Sequence, residues 1–232
     1  MDTVFELEGV SKKYPGVEAL KDFTLSLGRG KILGLLGPNG SGKTTFMKLL
    51  MGFIRPGQGK IEILGTKPGP LIRGRIAYVS ELDDLYPWMK VGEILKFTSQ
   101  FYNDWEHEKE KELLELLGLE PKRKIGTLSY GMRTRVRIML ALSRKPDLVL
   151  FDDPFSGVDL ISREKIQDAL LKTYHYEEQS IVIATHIIKE AEPLFDEVAF
   201  IGEGKLALKG TADDLREKYS KVLTDVYKEV FK

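Results

Sequence analysis

Eight residues, Gly37-Pro38-Asn39-Gly40-Ser41-Gly42-Lys43-Thr44, constrain this chain more than any others, because they fill every fixed position of G-x-x-x-x-G-K-[ST]. Lys31 to Leu36 (KILGLL) precedes them as an apolar run, and Thr44 to Met51 (TTFMKLLM) follows with helical periodicity. A buried strand that turns through glycines into a helix aims successive backbone N–H groups inward, where they bind phosphate oxygens. The helix N-terminus adds partial positive charge. The expectation is that residues 37–42 cradle a nucleotide's phosphates and that Lys43 reaches the β- and γ-phosphates. The Thr44 hydroxyl is expected to ligate Mg²⁺, and Thr45 to help hold the α-phosphate.

A second anchor is expected further along. Leu148-Val149-Leu150-Phe151 is fully apolar and ends in Asp152-Asp153. In sheets built this way, ligands bind beyond the carboxyl ends of the strands. There Asp152 is suited to hold Mg²⁺ through its water shell, and Asp153 to orient or deprotonate an attacking water. A double acid after an apolar strand is by itself more often a solvated turn; the phosphate loop upstream shifts the reading toward chemistry.

The remaining pattern supplies the frame. Residues 4–9 and 23–27 alternate like half-buried strands, Ile61–Leu64 and Arg75–Ser80 read as strands, and Ile181–Ala184 reads as a buried one. Val91 to Leu119 is helical and rich in Glu and Lys, with a stop at Gly118, and the helical block over roughly 91–140 is expected to form a lobe of its own. Ser162–Leu171 and the segment through Lys189 and Glu190 also read as helices. A hairpin is expected around Gly202-Glu203-Gly204, and a last helix from Asp213. Apolar strands alternating with helices imply a mainly parallel sheet covered on both faces.

At 42% hydrophobic residues, the 232-residue chain supports a packed core. With 35 Lys and Arg against 35 Asp and Glu, no net charge favours a nucleic-acid partner. The absence of cysteine excludes disulfides, thiolate metal sites and a cysteine nucleophile, and His107, His175 and His186 are too scattered for an all-histidine metal site. The opening MDTVFELEGVSKKY has no signal-like apolar region, and no stretch of about 18 apolar residues occurs. A cytoplasmic location is therefore expected.

Taken in order, these residues resemble an ATP-binding-cassette (ABC) ATPase, the motor subunit of ABC transporters. Tyr14, in SKKYPGVEAL, stands where that family stacks an aromatic ring on adenine. Leu128-Ser129-Tyr130-Gly131-Met132 stands at the family's LSGGQ signature, Ser156-Gly157-Val158-Asp159 at its D-loop, and Ala184-Thr185-His186 at its switch histidine. The resemblance implies an α/β fold: a P-loop NTPase, RecA-like core with a mainly parallel sheet, an N-terminal antiparallel β subdomain and an inserted helical subdomain. It places core and β subdomain at about 1–85 and 141–232, and the helical subdomain at about 86–140. It also implies ATP and Mg²⁺ as ligands and a head-to-tail homodimer, or a heterodimer with a related cassette. In that dimer Ser129 and Gly131 of one subunit face the phosphate loop of the other. The further implications are ATP hydrolysis that drives a separate transmembrane permease, and a peripheral place on the inner face of the cell membrane. Tyr86, Trp88 and Met89 lie in the region that, in that family, receives a short helix from the membrane subunit. A soluble ABC ATPase, or an ATP-gated switch with weak hydrolysis, is the alternative.

Three positions depart from the family pattern. The catalytic carboxylate, usually Glu, is Asp153, one methylene shorter. Glu81 stands where Gln usually touches Mg²⁺ and the attacking water; a carboxylate there ligates the metal more strongly but repels a γ-phosphate without it. In the signature, Tyr130 and Met132 replace Gly and Gln, and Tyr130 is left to turn toward the ribose or toward the dimer partner.

Overall fold

The computed structural model describes residues 3–175 and 178–231. Strands β1 (Thr3–Tyr14) and β2 (Val17–Gly28) pair antiparallel across Pro15-Gly16, and β3 (Ile32–Leu36) then runs into the glycine loop and α1 (Lys43–Leu50). β4 (Gln58–Ile63) pairs antiparallel with β1, giving a three-stranded sheet in the order β2-β1-β4. Next come α2 (Pro70–Arg73), β5 (Ile76–Val79), α3 (Val91–Ser99), α4 (His107–Leu116) and α5 (Tyr130–Leu142). β6 (Leu148–Asp152), α6 (Leu160–Thr173), β7 (Ser180–Thr185) and α7 (Ile188–Ala191) follow. The chain closes with β8 (Glu197–Gly202), β9 (Lys205–Thr211), α8 (Ala212–Tyr219) and α9 (Leu223–Val230).

The second sheet has six strands in the order β5-β6-β7-β3-β8-β9, parallel except for the β8–β9 hairpin. Its central strands are buried on both faces, which is why they read as unbroken apolar runs rather than alternating ones. The pleat still sorts them by period two. Leu33, Leu35, Leu148, Leu150, Val182 and Ala184 pack with α1 and the antiparallel sheet, whereas Val149, Phe151, Ile181 and Ile183 pack with α5 and α6. This α/β architecture is the one anticipated from the sequence. Among the described residues, no helix is long and apolar enough to cross a membrane.

The helical stretch anticipated over 91–119 divides into α3 and α4. Residues 102–106 are drawn onto the end of α5 instead: the Arg144 guanidinium lies 3.6 Å over the Tyr102 ring and pairs with Asp104 at 3.1 Å, and Glu106 N–H donates to the Ser143 carbonyl at 2.8 Å. Trp105 Nε1 donates to Glu110 at 2.7 Å and so starts α4. The last helix is likewise two, split at Ser220, whose φ of 50° lies in the left-handed region.

The fully buried Phe46 ring sits edge-on to Phe5 (5.6 Å) and Phe23 (5.8 Å), fastening α1 to the antiparallel sheet. Phe46→Ala is expected to cost about 3–5 kcal/mol in urea unfolding; a loss under about 1 kcal/mol would contradict this packing.

Candidate nucleotide-binding site

The register of four adjacent strands assembles the site at one edge of the sheet. Leu36 of β3 lies opposite Thr185 of β7, and Ala184 of β7 lies opposite Asp152 of β6. β5 pairs with β6 on the other side and leads into Ser80 and Glu81. The glycine loop, Asp152-Asp153, Thr185-His186 and Glu81 therefore leave the sheet side by side.

Within the loop, Gly42 has φ +111°, and a Cβ there would strike the Ala19 carbonyl; a Cβ on Gly37 would strike the Ile201 carbonyl. At these two glycines the loop is wedged against β2 and β8 with no room for a side chain. Gly42 caps α1 without a side-chain bond, so the first-turn N–H groups have no capping oxygen, the arrangement that receives an anion. Ser41 Oγ is buried without a hydrogen-bond partner. Lys43 is 7% exposed, and its ammonium donates to the carbonyls of Gly37 (2.7 Å) and Pro38 (3.0 Å). Burial lowers its pKa, opposed by the charges of Asp153, Asp152 and Glu81.

Asp152 is buried and accepts from the Thr44 hydroxyl at 3.3 Å and from the Tyr78 hydroxyl at 3.2 Å. Burial raises its carboxyl above the usual range against those two hydrogen bonds, and Glu81 and Asp153 push it further. Burial also raises the Tyr78 hydroxyl, so it stays a donor. Asp153 has φ +52° and is held at both carboxylate oxygens: Thr185 Oγ1 donates to Oδ1 at 2.9 Å, and His186 Nδ1 lies 2.6 Å from Oδ2.

The Glu81 side chain is exposed, while its backbone is gripped by α5. The Arg137 guanidinium donates to the carbonyls of Ser80 (2.9 Å), Glu81 (3.2 Å) and Leu82 and to the Thr134 hydroxyl (2.8 Å). Arg133 pairs with Asp83 from the preceding turn. Tyr14 closes β1 at the hairpin tip, 40% exposed, with the Lys12 ammonium 5.5 Å from its ring centre.

The signature residues stand apart. Among the described residues, no hydrogen bond or ion pair joins Ser129 or Gly131 to residues 37–45. Ser129 is exposed and caps α5 by accepting from Met132 N–H at 3.3 Å. Gly131 is buried where a Cβ would lie 2.6 Å from Asp159 Oδ2. The Tyr130 ring lies against Gly157 of its own chain, with the Arg137 guanidinium 5.8 Å from its centre. The sequence reading assigns no role to Tyr78, to Arg137 or to the Thr185 hydroxyl; Arg133 and Arg137, four residues apart in R-T-R-V-R just after the signature, are the local signal for the grip.

The ABC transporter family profile matches residues 20–156. The chain belongs to the ABC transporter family. An ABC transporter ATP-binding protein of Nostoc is 35% identical over 86% of this chain and 62% of its own length. A bacitracin transport ATP-binding protein of Bacillus licheniformis is 32% identical over 96% and 74%. The solved ATP-binding subunit of an ABC transporter superposes with a TM-score of 0.87 at 29% identity, covering 99% of this chain and all of that one. A dimeric cassette in a post-hydrolysis state with ADP and Pi gives 0.78 at 25%, covering 89% and 98%. This cassette is thus an ABC ATPase with the fold of its relatives.

Arg137→Met removes the grip on residues 80–82. Amide exchange at Leu82 and Asp83 is expected to rise, with a loss of about 2–3 kcal/mol in stability; unchanged exchange there would show that Arg137 does not hold this loop.

Proposed function

We propose that this chain is the ATP-binding and ATP-hydrolysing subunit of an ABC transporter, and that two cassettes close on ATP to drive a separate membrane permease. The observation that carries the reading is the delivery of Lys43, Thr44, Asp152, Asp153 and His186 to one edge by neighbouring parallel strands. Residues 37–45 bind the phosphates, Lys43 neutralises the terminal ones, and Tyr14 packs on the adenine. Asp153 orients or deprotonates the attacking water, and His186 shares that position through its contact with Asp153.

Among the described residues, no cluster of three or more His, Cys, Asp or Glu is arranged to hold a metal by itself. That suits Mg²⁺, which characteristically takes one or two carboxylates together with phosphate oxygens and water. The buried Asp152 carboxylate and the Thr44 hydroxyl beside it are the hard oxygen donors for it, with Glu81 as a further one. When bound, the ion offsets negative charge on the phosphates.

Ser129 is exposed and free of the phosphate loop, in keeping with a role toward a second subunit. We assign residues 86–140 to a helical subdomain and the rest to core and β subdomain. A cleft of about 480 Å³ lined by Phe53, Tyr78, Tyr102, Arg137 and Arg144, with Trp88 72% exposed nearby in sequence, suits a permease segment. The relative named for bacitracin transport supports the coupling to transport.

Asp153→Asn with ATP and Mg²⁺ is expected to run as a dimer in light scattering and to revert with ADP. A monomer under both conditions would sink the two-subunit site. Glu81→Gln is expected to weaken the Mg²⁺ dependence of nucleotide binding; identical metal titrations of the two proteins would remove Glu81 from the site.

A further inference from the structure

We propose that the Thr185 hydroxyl is a positioning residue for hydrolysis: it aims the shortened Asp153 carboxylate and locks it to the turn that carries His186. The inference rests on the reading of Asp153 as the group that handles the attacking water.

Thr185 ends β7 and is fully buried, so no water competes for its hydroxyl. Oγ1 accepts from the Ile187 N–H at 3.0 Å and lies 2.9 Å from Asp153 Oδ1. An N–H only donates and a carboxylate only accepts, so the single hydroxyl proton is committed to Asp153. A β-branched side chain in a strand has little χ1 freedom, so the position of Oγ1 is set by the backbone of β7, and the O–H rotor turns its proton to the carboxylate. One oxygen therefore fixes both the carboxylate and the backbone just after His186.

Asp153 depends on such support. Its φ of +52° is a left-handed conformation that non-glycine residues adopt only where their surroundings hold them. Three bonds do so, all from the end of β7: its N–H donates to the Ala184 carbonyl at 2.8 Å, Thr185 holds Oδ1, and His186 Nδ1 lies 2.6 Å from Oδ2. Each carboxylate oxygen keeps a further lone pair, so a water still has an acceptor. Without Thr185, the carboxylate pivots about the histidine contact alone. The missing methylene relative to Glu is thus offset by a fixed donor that sets where the shorter acid points.

The test is ATP hydrolysis by Thr185→Val, which keeps the shape and removes the hydroxyl, and by Thr185→Ser, which keeps the hydroxyl. Turnover per nucleotide-binding-competent molecule is expected to fall about 10- to 100-fold in the Val variant, the scale of a reacting group displaced by about 1 Å. The KM for ATP should stay within about twofold, and Thr185→Ser should recover most of the turnover. In an Asp153→Asn background, followed by single-turnover hydrolysis, Thr185→Val should add no further loss. Thr185→Ala carries the same expectation if the Val variant does not fold. Near-normal kcat without the hydroxyl overturns the proposal, as does a Ser variant as slow as Val or an equal loss in the Asp153→Asn background. If Asp153→Asn alone turns over like the parent protein, the assignment of Asp153 fails instead, so the two failures are distinct.

Discussion

Leu36 lies opposite Thr185, and Asp152 lies opposite Ala184. Those two cross-strand registers decide where every charged group of the site falls. A slip of one residue on β6 would turn Asp152 to the other face of the sheet and send Phe151 in its place. The register is secured by burial on both faces, since any slip exchanges the packing partners of Leu150 and Phe151, both fully buried. The chemistry at the edge is thus held by apolar residues that take no part in it.

The same edge gathers charges that would be costly one at a time. Lys43, Asp152 and Asp153 are each less than a tenth exposed. A lone buried ammonium or carboxylate is unfavourable, but each here has opposite charge or hydrogen-bond donors close by. Burial pulls the Lys43 pKa down and pushes that of Asp152 up, so each group's charge leans on its neighbours. The glycine loop meets a comparable demand in backbone form. Gly204 N–H donates to the Ser41 carbonyl while its own carbonyl accepts from Lys21 N–H, so the turn between β8 and β9 stitches the loop to β2.

Much of this was legible in the chain because the motifs are local. An apolar run, a glycine octet and a helix are contiguous, and the strand-end acids announce themselves by following LVLF. What escaped depends on distance along the chain. Tyr78 meets Asp152 across 74 residues, and Arg137 meets Ser80 across 57. The break between α3 and α4 is set by Arg144, which no pattern inside 91–119 contains. The Tyr130 ring found its place against Gly157, a tertiary neighbour with no side chain to signal the contact.

Arg137 gives α5 a mechanical character. It seizes the backbone on either side of Glu81, whereas Ser129, eight positions earlier, opens the same helix about 12 Å away. A helix of this length is stiff, so its Arg137 contact and its Ser129 cap are held at a fixed separation. The backbone around Glu81 and the exposed tip at Ser129 are thus fixed to the same rigid segment.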